Sequence, residues 1–261
     1  MASGPIKLPH LAEVRRFEAA GFRAWPATSV RYDGTWVIRL TAGHPAKRLN
    51  SVNLLDPGDT HNLDDRIASA SRHFEAYGRP MTFRISPLAG DTLPKHLDNL
   101  GWAKFSDSVV LTLGLAKVDF EGVIDQIPMK DLSRFIAAAL SVHADDPAIR
   151  PGLSEIITSI QAEAGLFVHE EEGQAVSTAI CVHDGDLAGL FEIATDEKQR
   201  GKGFGRAIVL SALKWARLRG AHSAWLQVEA DNRAALKLYH QLGFREAYRY
   251  HYRRPPGVAV E

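Results

Sequence analysis

Residues Leu190–Val209 read LFEIATDEKQRGKGFGRAIV. An apolar stretch suited to a strand runs into a short polar turn, three glycines follow at alternate positions, and a helical pattern begins. Gly201, Gly203 and Gly205 allow a tight bend that exposes successive backbone N–H groups. Those donors fall where the coming helix presents its positive end, which makes a pyrophosphate site, and Arg200, Lys202 and Arg206 can add charge. Two other phosphate loops do not fit. A dinucleotide fingerprint, GxGxxG, counted from Gly201, needs a glycine where Arg206 stands, and no GxxxxGKS/T string occurs. The pattern that fits is Arg or Gln, two residues, Gly, one residue, Gly or Ala, met by Arg200, Gly203 and Gly205. Alone, such a string is as readily a structural glycine turn.

Its surroundings give an order of elements. Asp131–His143 and Leu153–Glu163 carry apolar residues at helical spacing, and Leu166–Glu170 and Ala175–His183 read as a hairpin turned by Glu172-Gly173. Leu187–Thr195 is an apolar strand, and Gly205–Arg219 is an amphipathic helix burying Ile208, Val209, Ala212, Leu213 and Ala216. Ser223–Glu229 is a strand. Asp231 can cap a helix running to Leu242, with Gly243 as its left-handed stop. Strands near Arg245–Arg253 close the unit. The order ααβββαβαββ mixes hairpins with crossover helices, so a mixed sheet is expected.

A second string, Asn232-x-x-Ala235-x-x-x-Tyr239-x-x-x-Gly243-Phe244, follows the glycine loop at the spacing of one strand and one helix. With both strings in place, the last half of the chain resembles the GNAT acyltransferase superfamily. The resemblance implies an acyl-CoA donor, acetyl-CoA first among them. Its pyrophosphate would lie on Arg200, Gly201, Lys202, Gly203, Phe204, Gly205 and Arg206. Its pantetheine arm would pair with the backbone of Ile193, Ala194 and Thr195, with Asn232 and Ala235 beside it. A backbone N–H near Ile193 would hold the developing oxyanion. Tyr239 matches the family's general acid, which protonates the departing thiolate. Taken alone it is a core tyrosine on a face with Ala235, Leu238 and Leu242. Asn232 would contact the pantetheine arm, cap its helix, or both.

The chain also repeats itself. Arg66–Tyr77, Gly78 and MTFRIS (81–86) match Ile208–Arg219, Gly220 and SAWLQVE (223–229), and Leu100-Gly101-Trp102 matches Leu242-Gly243-Phe244, all at an offset of 142. The hairpin at Asp33-Gly34 matches Glu172-Gly173 at 139. The expectation is an α/β (α+β) protein of two tandem GNAT folds, each a mixed, mostly antiparallel sheet flanked by helices. Residues 1–116 would be a degenerate copy, 117–254 the catalytic domain and 255–261 a loose tail, with Val109–Pro128 linking the halves. The offset puts Arg200–Gly205 on Gly58–Leu63 (GDTHNL) and Tyr239 on Leu97. The first half therefore lacks loop and acid, and would serve as wall and lid for the acceptor, with Trp25, Trp36, Arg39 and Arg48 as candidate contributors, each equally readable as a sheet-packing residue or a solvated charge.

Composition narrows the partners. Basic and acidic residues number 31 each, and the halves hold 14 against 11 and 17 against 20, so no basic surface for nucleic acid or an anionic membrane is expected. One cysteine, Cys181, in an apolar strand, excludes a disulfide framework, and the eleven histidines show no HExxH or HxxxH, so no metal site is expected. No apolar run approaches the ~18 residues of a membrane helix, and MASGPIKLPHLAEVRR lacks a signal peptide's apolar core; a cytoplasmic enzyme is expected, with room for a homodimer. The acceptor is expected to be a small-molecule amine, whose proton needs a base. Glu192 is the best-placed carboxylate, equally readable as a structural or substrate-binding group, ahead of His183, Glu170 and His240. Two alternatives stand beside the N-acetyltransferase: an enzyme acting on a macromolecular acceptor, and a non-catalytic acyl-CoA sensor.

Overall fold

The computed structural model describes residues 10–259, so the expected tail at 255–261 lies partly outside it, as does most of the N-terminal segment. In chain order the first half contributes α1 (Leu11–Ala24), β1 (Ser29–Asp33), β2 (Trp36–Leu40), β3 (Ser51–Leu54), α2 (Leu63–Ala76), β4 (Phe83–Ile85), α3 (Thr92–Asn99) and β5 (Ala103–Gly114). The second contributes α4 (Leu132–His143), α5 (Arg150–Thr158), β6 (Glu163–Glu171), β7 (Gln174–Asp184), β8 (Leu187–Thr195), α6 (Phe204–Leu218), β9 (Ser223–Glu229), α7 (Arg233–Gln241) and β10 (Arg245–Arg254). The same sequence of elements thus occurs twice, with one extra helix opening the second copy.

The strands form one sheet, ordered β1-β2-β3-β4-β10-β5-β9-β8-β7-β6. Only β3–β4 and β8–β9 are parallel pairs; the rest are antiparallel. The centre holds an exchange. β5, last strand of the first half, lies beside β9, while β10, last strand of the second, lies beside β4. The two exchanged strands pair with each other from Arg245↔Thr112 to Arg254↔Ala103.

One face of the sheet carries a core shared by both halves. Phe17 and Trp25 of the first half pack there with Phe135, Ile156, Phe191 and Trp225 of the second, under α1, α4 and α5. The other face is covered separately, by α6 and α7 over β5–β9 and by α2 and α3 over β2–β4. Beneath α1 a charged knot joins three elements. Glu18 pairs with Arg84 of β4, both buried, and accepts from the Tyr248 hydroxyl of β10 at 2.7 Å. The Arg84 guanidinium also sits 3.6 Å from the Tyr250 ring centroid.

Several sequence expectations need correction. The segment read as a link from Val109 is strand up to Gly114, because its alternating apolar residues are shared between the two cores. The second helix starts at Arg150, with Pro151 in its first turn, and ends at Thr158; Glu163 already belongs to β6, opposite His183. Arg245–Arg254 is one strand interrupted by bulges, not two. Asn232, not Asp231, caps α7: its side chain accepts from the Ala235 N–H at 3.1 Å.

Candidate active site

The three loop glycines are needed for different reasons. Gly201 and Gly203 have φ of +79° and +90°, values that side chains resist, and a Cβ on either would point into open space. Gly205 is limited by contact: its Cβ would sit 3.0 Å from Thr195 Oγ1, so glycine lets the start of α6 lie against the end of β8. Gly203 caps α6 with no side-chain acceptor, and the first helical bond is Ala207 N–H to Gly203 O. Among the described residues, no acceptor takes the N–H groups from Gly201 to Arg206. Arg200, Lys202 and Arg206 are exposed around them, with Lys202 Nζ donating to Gln199 Oε1 at 2.7 Å.

Next to this loop the sheet opens. The β8–β9 ladder runs from Leu187↔Ser223 to Leu190↔Leu226 and stops, although both strands continue. Beyond that point β8 is paired only with β7, through Thr178↔Ala194 and Ser177↔Thr195. Ile193, Ala194 and Thr195 therefore carry an open edge toward β9. The break coincides with a bulge: the register slips between Ile180↔Phe191 and Thr178↔Ala194, and Glu192 has φ of +48°. A non-glycine residue in that conformation is strained, and bulges re-aim side chains beside working sites.

The bulge turns Glu192 toward the first half. Its carboxylate accepts from Arg48 Nη2 at 2.9 Å, and His143 Nε2 lies 3.9 Å from its other oxygen. The Arg48 guanidinium is stacked over Trp25 and Phe191. Around this pair lies a cleft of about 500 Å³ between the halves. His44–Arg48 form one wall, Gln227–Glu229 of the splayed β9 another, and Tyr250, Tyr252 and Arg254 of the exchanged strand the floor. Burial lowers the pKa of His44, whose Nδ1 accepts from the Ala46 N–H, so this imidazole is neutral.

Tyr239 lies on the opposite face, in the α6–α7 core with Ile193, its ring edge-on to Phe244. Burial pushes its phenol up to about 12, and its hydroxyl has no hydrogen bond among the described residues. Glu192 and Tyr239 thus stand on the two faces that the gap between β8 and β9 connects.

Of the first-half residues singled out from sequence, only Arg48 reaches the cleft. Trp25 and Arg39 line a much smaller void under it, Arg39 donating to the Arg48 carbonyl at 3.0 Å, and Trp36 is buried against Phe83. Glu170 pairs with Arg134, His240 contacts the Phe244 carbonyl, His183 lies at the far end of β7, and Cys181 is buried, its thiol pushed up by burial; none borders the cleft. Sequence reading missed His44, His143, Gln227, Tyr250 and Arg254. They come from four separate segments, and the one available signal was the polar Gln227 among the apolar residues of its strand.

The equivalent region of the first half is built differently. Asp59 accepts from Arg66 Nη1 at 2.7 Å and from the Thr35 N–H at 2.8 Å, so its carboxyl is held well below the usual range, chiefly by the bond from Arg66. Asp64 and Asp65 occupy the first turn of α2. The parallel pair there is short, Val52↔Phe83 and Asn53↔Arg84, and the 142 offset puts Arg84 on Leu226, the last residue of β9 paired with β8.

Comparison with known proteins agrees with this architecture. The family model "Probable histone acetyltransferase Rv0428c C-terminal" matches residues 11–253. The chain belongs to the GNAT family. This GNAT protein is an acyltransferase of the N-acetyltransferase type. It is 26% identical over 247 residues to "Uncharacterized N-acetyltransferase YobR" of Bacillus subtilis, covering 92% of this chain and 98% of that protein. It is 32% identical over 136 residues to the mycothiol acetyltransferase of Thermomonospora curvata, covering 49% of this chain and 46% of that one. Among solved structures, a GCN5-related N-acetyltransferase from Kribbella flavida superposes with a TM-score of 0.70 at 17% identity, covering 97% of this chain and 98% of its own. A tandem GNAT protein from the clavulanic acid biosynthesis pathway gives 0.62 at 16% identity, covering 99% and 92%. Both share the fold of this GNAT chain.

Proposed function

We propose that this GNAT chain transfers an acetyl group from acetyl-CoA to a primary amine by direct attack within a ternary complex. The observation that carries the reading is the run of N–H groups from Gly201 to Arg206, free of acceptors and beside an opened strand edge. Pyrophosphate oxygens would accept from those groups, with Arg200, Lys202 and Arg206 countering the charge. The edge of Ile193, Ala194 and Thr195 would pair with the amides of the pantetheine arm, and Asn232 would support it by holding the start of α7. The amine enters from the cleft, and its nitrogen attacks the thioester carbonyl carbon. As the C–S bond breaks, Tyr239 gives its proton to the sulfur, and Glu192 takes the proton released by the nitrogen, directly or through a water. A phenol with a pKa of about 12 is fully protonated at neutral pH, as an acid must be. Relatives named mycothiol acetyltransferase and, in Escherichia coli, "[Ribosomal protein bS18]-alanine N-acetyltransferase" point the same way; the latter is 37% identical over 98 residues, 37% of this chain and 66% of its own. The experiment is a thiol-release screen with acetyl-CoA over amines, amino acids, polyamines and amine-bearing antibiotics. Turnover with any of them supports the reading. Tight donor binding with no thiol release from any amine would favour a sensor.

A further inference from the structure

The cleft is unevenly neutralised. Two of its charge pairs close on themselves, Arg48–Glu192 at 2.9 Å and Lys47–Glu229 at 3.2 Å. Two charges are left over among the described residues. Asp145, beside His143 on the Glu192 side, makes no ion pair or side-chain hydrogen bond. Arg254, at the end of β10, has no carboxylate partner among the described residues. Its guanidinium lies over the Phe105 ring, and Nη1 donates to the Ala259 carbonyl at 2.5 Å. The opposite edge, Nε and Nη2, is unused, and Nε is buried without any partner. A buried donor without an acceptor is costly, and a guanidinium edge with two parallel N–H groups matches an oxyanion held by two oxygens. Lys47, near the same Phe105 ring, adds positive potential.

The register places the two ends far apart. Glu192 stands two residues past the last β8–β9 pair, Leu190↔Leu226, level with Val228, which faces Val109 on β5. Arg254 faces Ala103 on the same strand. That is six residues of β5, at most about 20 Å of strand because the stretch is bulged at Ser106. An α-amino acid cannot join such points. We propose that the acceptor is an extended zwitterion, its amine delivered to Glu192 and Asp145 and a terminal carboxylate or phosphate held many bonds away by the Nε–Nη2 edge of Arg254. This rests on the amine-acetylating reading above and makes Arg254 a specificity residue.

The test uses the full chain, acetyl-CoA and a ladder of ω-amino acids of increasing length, each with its carboxamide, plus the matching ω-aminoalkyl phosphates. Wild type should favour the long acids over their amides by ~10–100-fold in kcat/KM, the range for a charged hydrogen bond at a buried site. The preference should collapse toward unity in Arg254→Gln, mainly through KM, and return in part in Arg254→Lys. A higher rate for the phosphates identifies phosphate as the natural group, and a higher rate for the acids identifies carboxylate. Equal kcat/KM for acids and amides, or α-amino acids outrunning the long members, overturns the proposal. Calorimetry with the N-acetylated long acid separates the two claims. Binding that Arg254→Gln abolishes, with no thiol release from any amine, keeps the acid site and removes the transfer reading. Absence of binding to wild type overturns the acid site itself.

Discussion

Tyr239 and Glu192 sit on opposite faces of the sheet at the point where its ladder breaks, and each has a measurable signature. Tyr239→Phe removes one hydroxyl from a well-packed ring and should lower turnover by roughly 10²–10⁴, the range for a general acid, with donor affinity nearly unchanged. A near-normal rate where chemistry limits would make Tyr239 only the partner of Phe244. Glu192→Gln should cost most near neutral pH, where an amine of pKa about 10 holds its proton, and least where the amine is already free. A loss that is flat across pH would assign Glu192 to binding. At this scale the glycine loop was legible because φ and close approach restrict Gly201, Gly203 and Gly205 to one residue type. The partnership of Glu192 with Arg48 was not, because 144 residues separate them and nothing local links the two.

Apolar alternation tells which face a strand presents but not which strand lies beside it. That is why the helices, the hairpin and the mixed sheet could be read from the sequence, whereas the exchange of β5 and β10 could not. The exchange rests partly on Glu18 and Arg84. Replacing Glu18 with Gln leaves the Arg84 charge buried without its counter-ion and should destabilise the chain by about 3–5 kcal/mol in urea unfolding. A loss below about 1 kcal/mol would show that apolar packing alone holds β10 in place. His251, on β10 opposite Ile85, gives the exchange a pH dependence. Burial, then Lys104 and Arg253, hold its imidazole at about 4 against an ordinary 6.5, with Asp107 and Asp98 opposing. Between those values the unfolded chain binds the extra proton, so the contribution is present above about 6.5 and lost as pH falls through about 4. His251→Gln should flatten the fall in Tm across that window. An unchanged acid slope would place the lability elsewhere.

Across the whole molecule, two copies of one fold share a sheet and a core but differ where a donor would bind. In the second copy β8 and β9 part beside a helix start with free N–H groups. In the first, Asp59, Asp64 and Asp65 lie about the start of α2, where the second copy has its glycine loop. Carboxylates there repel phosphate, so the first copy should contribute walls to the cleft and no donor site. The most direct measurement is a calorimetric titration with acetyl-CoA of the wild type, Gly203→Ala and Gly203→Glu, with folding checked by circular dichroism. Alanine introduces only the strain of a positive φ, roughly 1–2 kcal/mol, whereas glutamate also fills the space over the amides with negative charge. Saturation is expected at one acetyl-CoA per chain, with weakened binding in the alanine variant and none in the glutamate variant. Two sites per chain, or residual binding in a folded Gly203→Glu protein, would contradict it.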